Sequence, residues 1–288
     1  MEPFAYSWGQ FTLEFGRRTL VMGILNTTPD SFSDGGRFFS LDAALAHGQS
    51  LVDHGADILD IGGESTRPFS KPVSAEEEIA RVVPVIEGLA QKINVPISID
   101  THKAIVAEAA LDAGAAMIND ISALEKDPDM AVLAGKRKVP VVLMHMQGTP
   151  ETMQIAPQYK DVVEEIRGYL AQRADFAVQS GVPRAAVIID PGIGFGKNVK
   201  DNLLLIKHLE KIQALGFPVL MGPSRKSFIQ KKLSSITGRE ITSASREAEL
   251  GTLAAVAVSA IHHAQIVRVH DVAAVKPVVQ MIDAIQNA

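Results

Sequence analysis

What most constrains this chain is a repeated alternation: an apolar, β-branched run, then a few polar residues, then a helical period. The runs are Leu20–Leu25, Ile58–Ile61, Pro96–Ile99, Ala116–Ile118, Pro140–Met144, Ala186–Ile189, Pro218–Met221 and Gln265–Val269. Several are continuous rather than alternating, the pattern of parallel strands buried on both faces. Between them Leu41, Ala44, Leu45, Gly48, Leu51 and Val52 step at helical spacing, as do Ile79, Val82, Val83, Ile86 and Leu89. Ser74 with Glu77 predicts a capping box at the second helix start. Eight strands with intervening helices in 288 residues predict an α/β chain folded as a (β/α)8 TIM barrel. Phe4–Phe15 predicts a short N-terminal hairpin at the barrel base. An open doubly wound sheet is the alternative, which periodicity alone does not separate from a barrel. No linker, repeat or low-complexity run divides residues 1–288, so one domain is expected.

Composition narrows the function classes. Hydrophobic residues at 47% and charged residues at 21% fit a well-cored globule and exclude wholesale disorder. A net charge of −5 argues against nucleic-acid binding by phosphate neutralisation. With no cysteine there is no disulfide, no thiolate metal site and no cysteine nucleophile. The N-terminus lacks a basic and an apolar region of the signal-peptide kind, and Leu250–Ile261 is too short and interrupted to span a bilayer. A cytoplasmic location with no membrane partner is expected.

A barrel builds its active site at the carboxyl ends of its strands. There the chain carries Asn26, Glu64 to Arg67, Asp100, Asn119 and Asp120, His145, Asp190, Ser224 to Ser227, and Arg268 with His270. Any one of these taken alone reads first as a helix cap or a loop hydrogen bond. Eight polar ends together point to a site. Two connections, Thr27–Ser40 and Gly63–Ser74, exceed ordinary βα loops and are candidate lids. Arg225, Lys226 and Arg268 fall on the last two loops, where barrels commonly hold phosphate, and the SRKS segment predicts a helix start that favours an anion. Arg225 taken alone reads as a surface arginine. Asp100 and Asp190 follow apolar strands and need a partner. A planar heterocycle with several N–H donors would satisfy them, and Asn119 could read another of its edges. The residues thus describe a site for a polar heterocycle at one end and a phosphate at the other. Gly192-x-Gly194-x-Gly196 is not the dinucleotide fingerprint, and the adjacent His262 and His263 read as structural. Asn26 with waters and ligand phosphates would suit Mg2+.

At these same positions the sequence closely resembles the dihydropteroate synthase family. The matching segments run in order along the chain: MGILNTTPDSFSDGG from Met22, DIGGESTRP from Asp60, SIDTHK from Ser98, IND from Ile118, VLMHMQGTP from Val142, DPGIGFGK from Asp190, SRKSFI from Ser224 and IVRVHDV from Ile266. The resemblance implies a homodimeric, Mg2+-requiring transferase of folate biosynthesis and a sulfonamide target. It joins 6-hydroxymethyl-7,8-dihydropterin diphosphate to p-aminobenzoate, releasing pyrophosphate. Carried over residue by residue, the pterin pocket falls on Asp100, Asn119, Asp190 and Lys226, walled by Met144, Phe195 and Gly222. The diphosphate falls on Asn26, which is also the metal position, and on Arg67, Arg268 and His270. p-Aminobenzoate falls on Phe32, Thr66, Pro68 and Ser227. Asp100, Asp190, Lys226 and Arg268 are the expected catalytic set. Phe69 stands where the family often has Gly, and His263-Ala264-Gln265 stands where it usually shows Gly-Ala. Two alternatives are a pterin-dependent methyltransferase barrel and a non-catalytic homologue. The ESTRP and SRK segments argue against the first, and the retained Asp190, Lys226 and Arg268 against the second.

Overall fold

A computed structural model of the chain describes residues 2–28, 40–65, 70, 72–149, 153 and 157–288. Two antiparallel strands, β1 (Phe4–Trp8) and β2 (Phe11–Phe15), form the hairpin. The barrel strands are β3 (Leu20–Asn26), β4 (Ile58–Gly62), β5 (Ile97–Asp100), β6 (Met117–Asp120), β7 (Val141–Met144), β8 (Val187–Asp190), β9 (Leu220–Met221) and β10 (Ile266–Val269). Around them pack α1 (Leu41–Asp53), α2 (Ala75–Ala90), α3 (Ala104–Asp112), α4 (Pro128–Arg137), α5 (Val162–Gln179), α6 (Val199–Lys207), α7 (Leu209–Gln213), α8 (Ser227–Thr237), α9 (Arg246–Ile261) and α10 (Val272–Gln286). All eight runs read from the sequence are strands, each within a residue or two of its expected bounds.

The parallel ladder runs β8-β7-β6-β5-β4-β3-β10-β9. It closes where Ile189 bridges Val219 and the Ile189 N–H donates to the Pro218 carbonyl at 2.9 Å. That closure excludes the open sheet. The joint is thin, because β9 has two residues and meets β8 through one bridge.

Strand alternation sorts the side chains. Val21, Leu25, Leu59, Ile61, Ile97 and Ile99 face the helices in the main core. Leu20, Met22, Ile58, Met117, Val142, Ile188, Leu220 and Ile266 face inward and fill the lower barrel with Leu13 and Phe15 of the hairpin. The hairpin plugs the base and is pinned there by the Trp8 indole N–H on the Ala116 carbonyl at 2.7 Å. The same inward parity, carried up each strand, sets Asn26, Asp60, Asp100, Asn119, Met144, Asp190 and Arg268 into the upper barrel.

Caps follow the sequence in part. Ser74 accepts from the Glu77 N–H at 3.2 Å, but the Glu77 carboxylate takes Arg81 instead of closing the box. A complete capping box forms at α6, between Asn198 and Asp201.

Candidate active site

The upper barrel is a layer of charges on apolar packing. Arg268 on β10 reaches across it: its Nε donates to Asp60 Oδ2 at 2.6 Å and its Nη2 to Asp100 Oδ2 at 2.7 Å. Asn119 Nδ2 donates to the same Asp60 oxygen at 3.0 Å. Asp190 at the end of β8 accepts the Gly192 N–H at 2.7 Å. Burial pushes the Asp100 carboxyl up to about 7 against the opposing pull of Arg268, and burial pushes Asp190 up to about 6. Burial and the Arg268 charge bring the Lys226 ammonium down to about 8. Both carboxylates thus have a partner within the protein, Arg268 for Asp100 and the Gly192 N–H for Asp190.

Lys226 is the N-cap residue of α8, whose helix starts at the SRKS segment as expected. Its Nζ lies 3.9 Å from the Phe195 ring centroid. Phe195 packs with Met144, Ile121 and Met153 in a small apolar cluster beside the charged layer, so the two expected wall residues do come together. Gly222 leaves the mouth open, since a Cβ there would meet only the Arg268 Cβ at 3.9 Å. Ser227 is exposed at the first turn of α8. His270 Nδ1 and Ser224 Oγ are 3.0 Å apart. Arg225 is exposed with a left-handed backbone, φ 56°. It does not join Lys226 and Arg268, so the expected triple cation cluster is a pair. Phe32, Thr66, Arg67, Pro68 and Phe69 lie outside the described residues.

The glycine-rich segment after β8 has a packing reason. Gly192 and Gly194 both have positive φ, and a Cβ on Gly192 would fall 1.9 Å from the His145 carbonyl oxygen. Close backbone approach lets the β8 connection lie against the β7 connection. Lys197 fastens the two: its Nζ donates to the Phe195 carbonyl at 2.8 Å and sits 3.0 Å from His145 Nδ1. Burial lowers Lys197 to about 7 and His145 to about 3.

Sequence reasoning singled out neither Lys197 nor Asp60. Asp60 lies inside an apolar run rather than after one. The usable signal was parity, because residue 60 shares the inward face of Ile58.

Mg2+ takes oxygen ligands, often one or two from protein and the rest from water and phosphate. Asn26 offers one such oxygen on the inward face at the end of β3. Among the described residues no three acidic or histidine side chains form a cage. A single such oxygen is within what Mg2+ takes from a protein.

Comparison with known proteins places this geometry. The pterin binding enzyme family matches residues 22–270. A dihydropteroate synthase from Synechocystis is 46% identical over 277 residues, covering 96% of this chain and 93% of the relative. The Yersinia pestis dihydropteroate synthase, solved with a sulfonamide drug complex, superposes with a TM-score of 0.90 at 40% identity, covering 99% of this chain and 100% of that one. The Xanthomonas albilineans dihydropteroate synthase was solved with 4-aminobenzoic acid (TM-score 0.85, 45% identity, 96% of each chain) and with 7,8-dihydropteroate (TM-score 0.83, 43% identity, 96% and 97%). Shared fold alone leaves function open, but identity of this order over nearly the whole length does not: the chain belongs to the dihydropteroate synthases of the pterin-binding enzyme family.

Proposed function

We propose that the inward carboxylate layer is the pterin site of this folate-pathway transferase and that the reaction there is a dissociative substitution at the pterin methylene. The carrying observation is the pair of buried carboxylates, Asp100 and Asp190, both within electrostatic reach of Lys226, with Asn119 beside Asp100 on the next strand. A pterin presents N–H donors that two carboxylates accept, and acceptors that Asn119 and Lys226 satisfy. As the methylene C–O bond breaks, its electron pair leaves with the diphosphate and positive charge spreads into the ring. Fixed, buried carboxylates stabilise that charge without reorganising. The amine of p-aminobenzoate then forms the C–N bond and loses a proton to solvent. It is neutral near pH 7, so no strong base is required.

Arg268 and His270, with Arg67, would receive the growing charge of the diphosphate. Asn26 would hold Mg2+, which when bound neutralises phosphate charge. Ser227, with Phe32, Thr66 and Pro68, would meet p-aminobenzoate. Met144, Phe195 and Gly222 would line the ring.

A homodimer is the proposed assembly. On α9 the side chains of Leu250, Val258 and Ile261 are 53%, 39% and 51% exposed, and on the neighbouring α10 Met281 and Ile285 are 63% and 68% exposed. Spacings of eight, three and four residues put them on one face of each helix. Exposed apolar side chains on two neighbouring helices support this reading, since large exposed apolar patches serve association. Sedimentation of Leu250→Glu/Ile261→Glu at half the mass of the parent protein is the expected result; an unchanged mass refutes this interface. Among the described residues no helix is long and apolar enough to cross a membrane.

The test of function is pyrophosphate release from the pterin diphosphate, Mg2+ and p-aminobenzoate, each omitted in turn. Release that requires all three and yields dihydropteroate is expected. Pterin diphosphate binding without turnover would overturn the catalytic reading. Asp100→Asn should lower kcat far more than it raises the KM for p-aminobenzoate.

A further inference from the structure

Asp60 sits one inward position below Asp100 and Asn119, and none of its surface reaches solvent. Its Oδ2 accepts from two side chains at once, Arg268 Nε at 2.6 Å and Asn119 Nδ2 at 3.0 Å. These are the groups assigned to opposite ends of the substrate. Its Oδ1 has no hydrogen-bond partner, and neither does Ser98 Oγ at the paired position of β5. Meanwhile Arg268 Nη2 rests on Asp100 Oδ2. A heterocycle donating N–H groups to Asp100 would have to compete with Arg268 for that carboxylate.

We propose that Asp60 is a positioning residue of the synthase reaction: it holds Arg268 by Nε, so that the guanidinium yields Asp100 to the heterocycle and presents its Nη atoms to the diphosphate. The inference rests on the synthase reading. An arginine has five N–H donors in a fixed fork, so one edge can stay tethered while the other changes partner. Without the Asp60 charge, Arg268 has one carboxylate left, Asp100, and pairs with it more fully. The heterocycle would then meet a blocked carboxylate and the diphosphate would lose a cation. The shared oxygen also fixes Asn119 relative to Arg268, setting the spacing between the two ends of the site. The Asp60 charge is one of the influences that raise the Asp100 carboxyl.

Asp60→Asn keeps the shape and removes the charge. Its kcat/KM for the pterin diphosphate should fall about 10- to 100-fold, the worth of one charge-assisted hydrogen bond, with the KM for p-aminobenzoate unchanged. The acid limb of kcat/KM should move to lower pH, because Asp100 loses a like charge nearby. In an Arg268→Ala background, Asp60→Asn should cost less than about 3-fold, since its action through Arg268 is already gone. Calorimetry with inorganic pyrophosphate and with 6-hydroxymethylpterin, titrated separately, should show both weakened by Asp60→Asn. If Asp60→Asn does not fold, the smaller neutral Asp60→Ser takes the same tests. Parental kcat/KM with an unmoved pH profile overturns the proposal, as does full additivity with Arg268→Ala. Failure of the parent protein to make dihydropteroate would sink the synthase reading instead. The calorimetric arm would still decide Asp60, because unchanged pyrophosphate affinity refutes the tether.

Discussion

Replacing Lys103 by Met should destabilise the protein by about 3 kcal/mol. Lys103 Nζ donates to Glu64 Oε2 at 2.5 Å, to Glu78 Oε2 at 2.6 Å and to the Val73 carbonyl at 2.9 Å. The Glu78 side chain is 1% exposed and its Oε1 has no partner, so the lysine is what makes an ionised Glu78 tolerable. Removing one member of a buried pair costs about 3–5 kcal/mol, because the remaining charge keeps its desolvation penalty. The lysine is itself 19% exposed, so water relieves part of the loss and the lower figure applies. For a domain of this size that is a fall of about 6 °C in Tm. The variant Lys103→Met/Glu78→Gln should recover most of it, since a neutral amide needs no cation. Urea unfolding of the parent and both variants at about pH 8 checks both parts. A single variant within 1 °C of the parent at pH 8, or a double variant no better than the single, would refute the buried-pair argument.

Other outcomes follow from the site. Gly194 has φ +86° and a Cβ there would meet Lys226 Cδ at 2.8 Å, whereas Gly238 has φ +69° and open space around it. Both alanine variants should lose about 1–2 kcal/mol to left-handed backbone strain, but only Gly194→Ala should also lower kcat/KM for the pterin diphosphate; equal kinetics in the two would sink the steric reading. Asp190 is raised to about 6 from 3.8, so the native state keeps its proton where the unfolded chain has lost it, and stability falls as pH rises through that window. Asp190→Asn should therefore gain on the parent between pH 4 and 6 in denaturant titrations, and a constant difference would contradict the shift. Lys197 is lowered to about 7 from 10.5, so its contribution runs the other way, with stability rising from pH 7 to 10; Lys197→Met should flatten that rise in the same titrations. Leu13→Ala in the hairpin should cost about 2–4 kcal/mol by opening a cavity in the barrel base, read by the fluorescence of Trp8, the sole tryptophan.

The barrel was legible because each strand is a β-branched run long enough to be read alone. Its polar rim was legible too, since Asp100, Asn119 and Asp190 stand where apolar runs end and Arg268 is the one charge within the last run. What sequence did not disclose is pairing. Asp60 and Arg268 are 208 residues apart, and nothing local joins them. Nothing local marks Lys197 and Lys103 for burial; the closure of the barrel and the packing of its connections bring their ammonium groups onto buried partners. Arg225 and Lys226 show the converse: adjacent in sequence, they part because a left-handed residue turns one outward before α8 begins.

The single bridge between β8 and β9 has a consequence for how the molecule responds to its ligand. Asp190 stands on one side of that joint and Lys226 on the other. A heterocycle gripped by both becomes a rung in the weakest part of the wall, and the ring of strands is then completed partly by a small molecule. Amide hydrogen exchange at Ile189 and Val219 should slow on binding, while the multiply bonded β3–β4 ladder changes little. The pterin would thus act as a structural member of the barrel it reacts in.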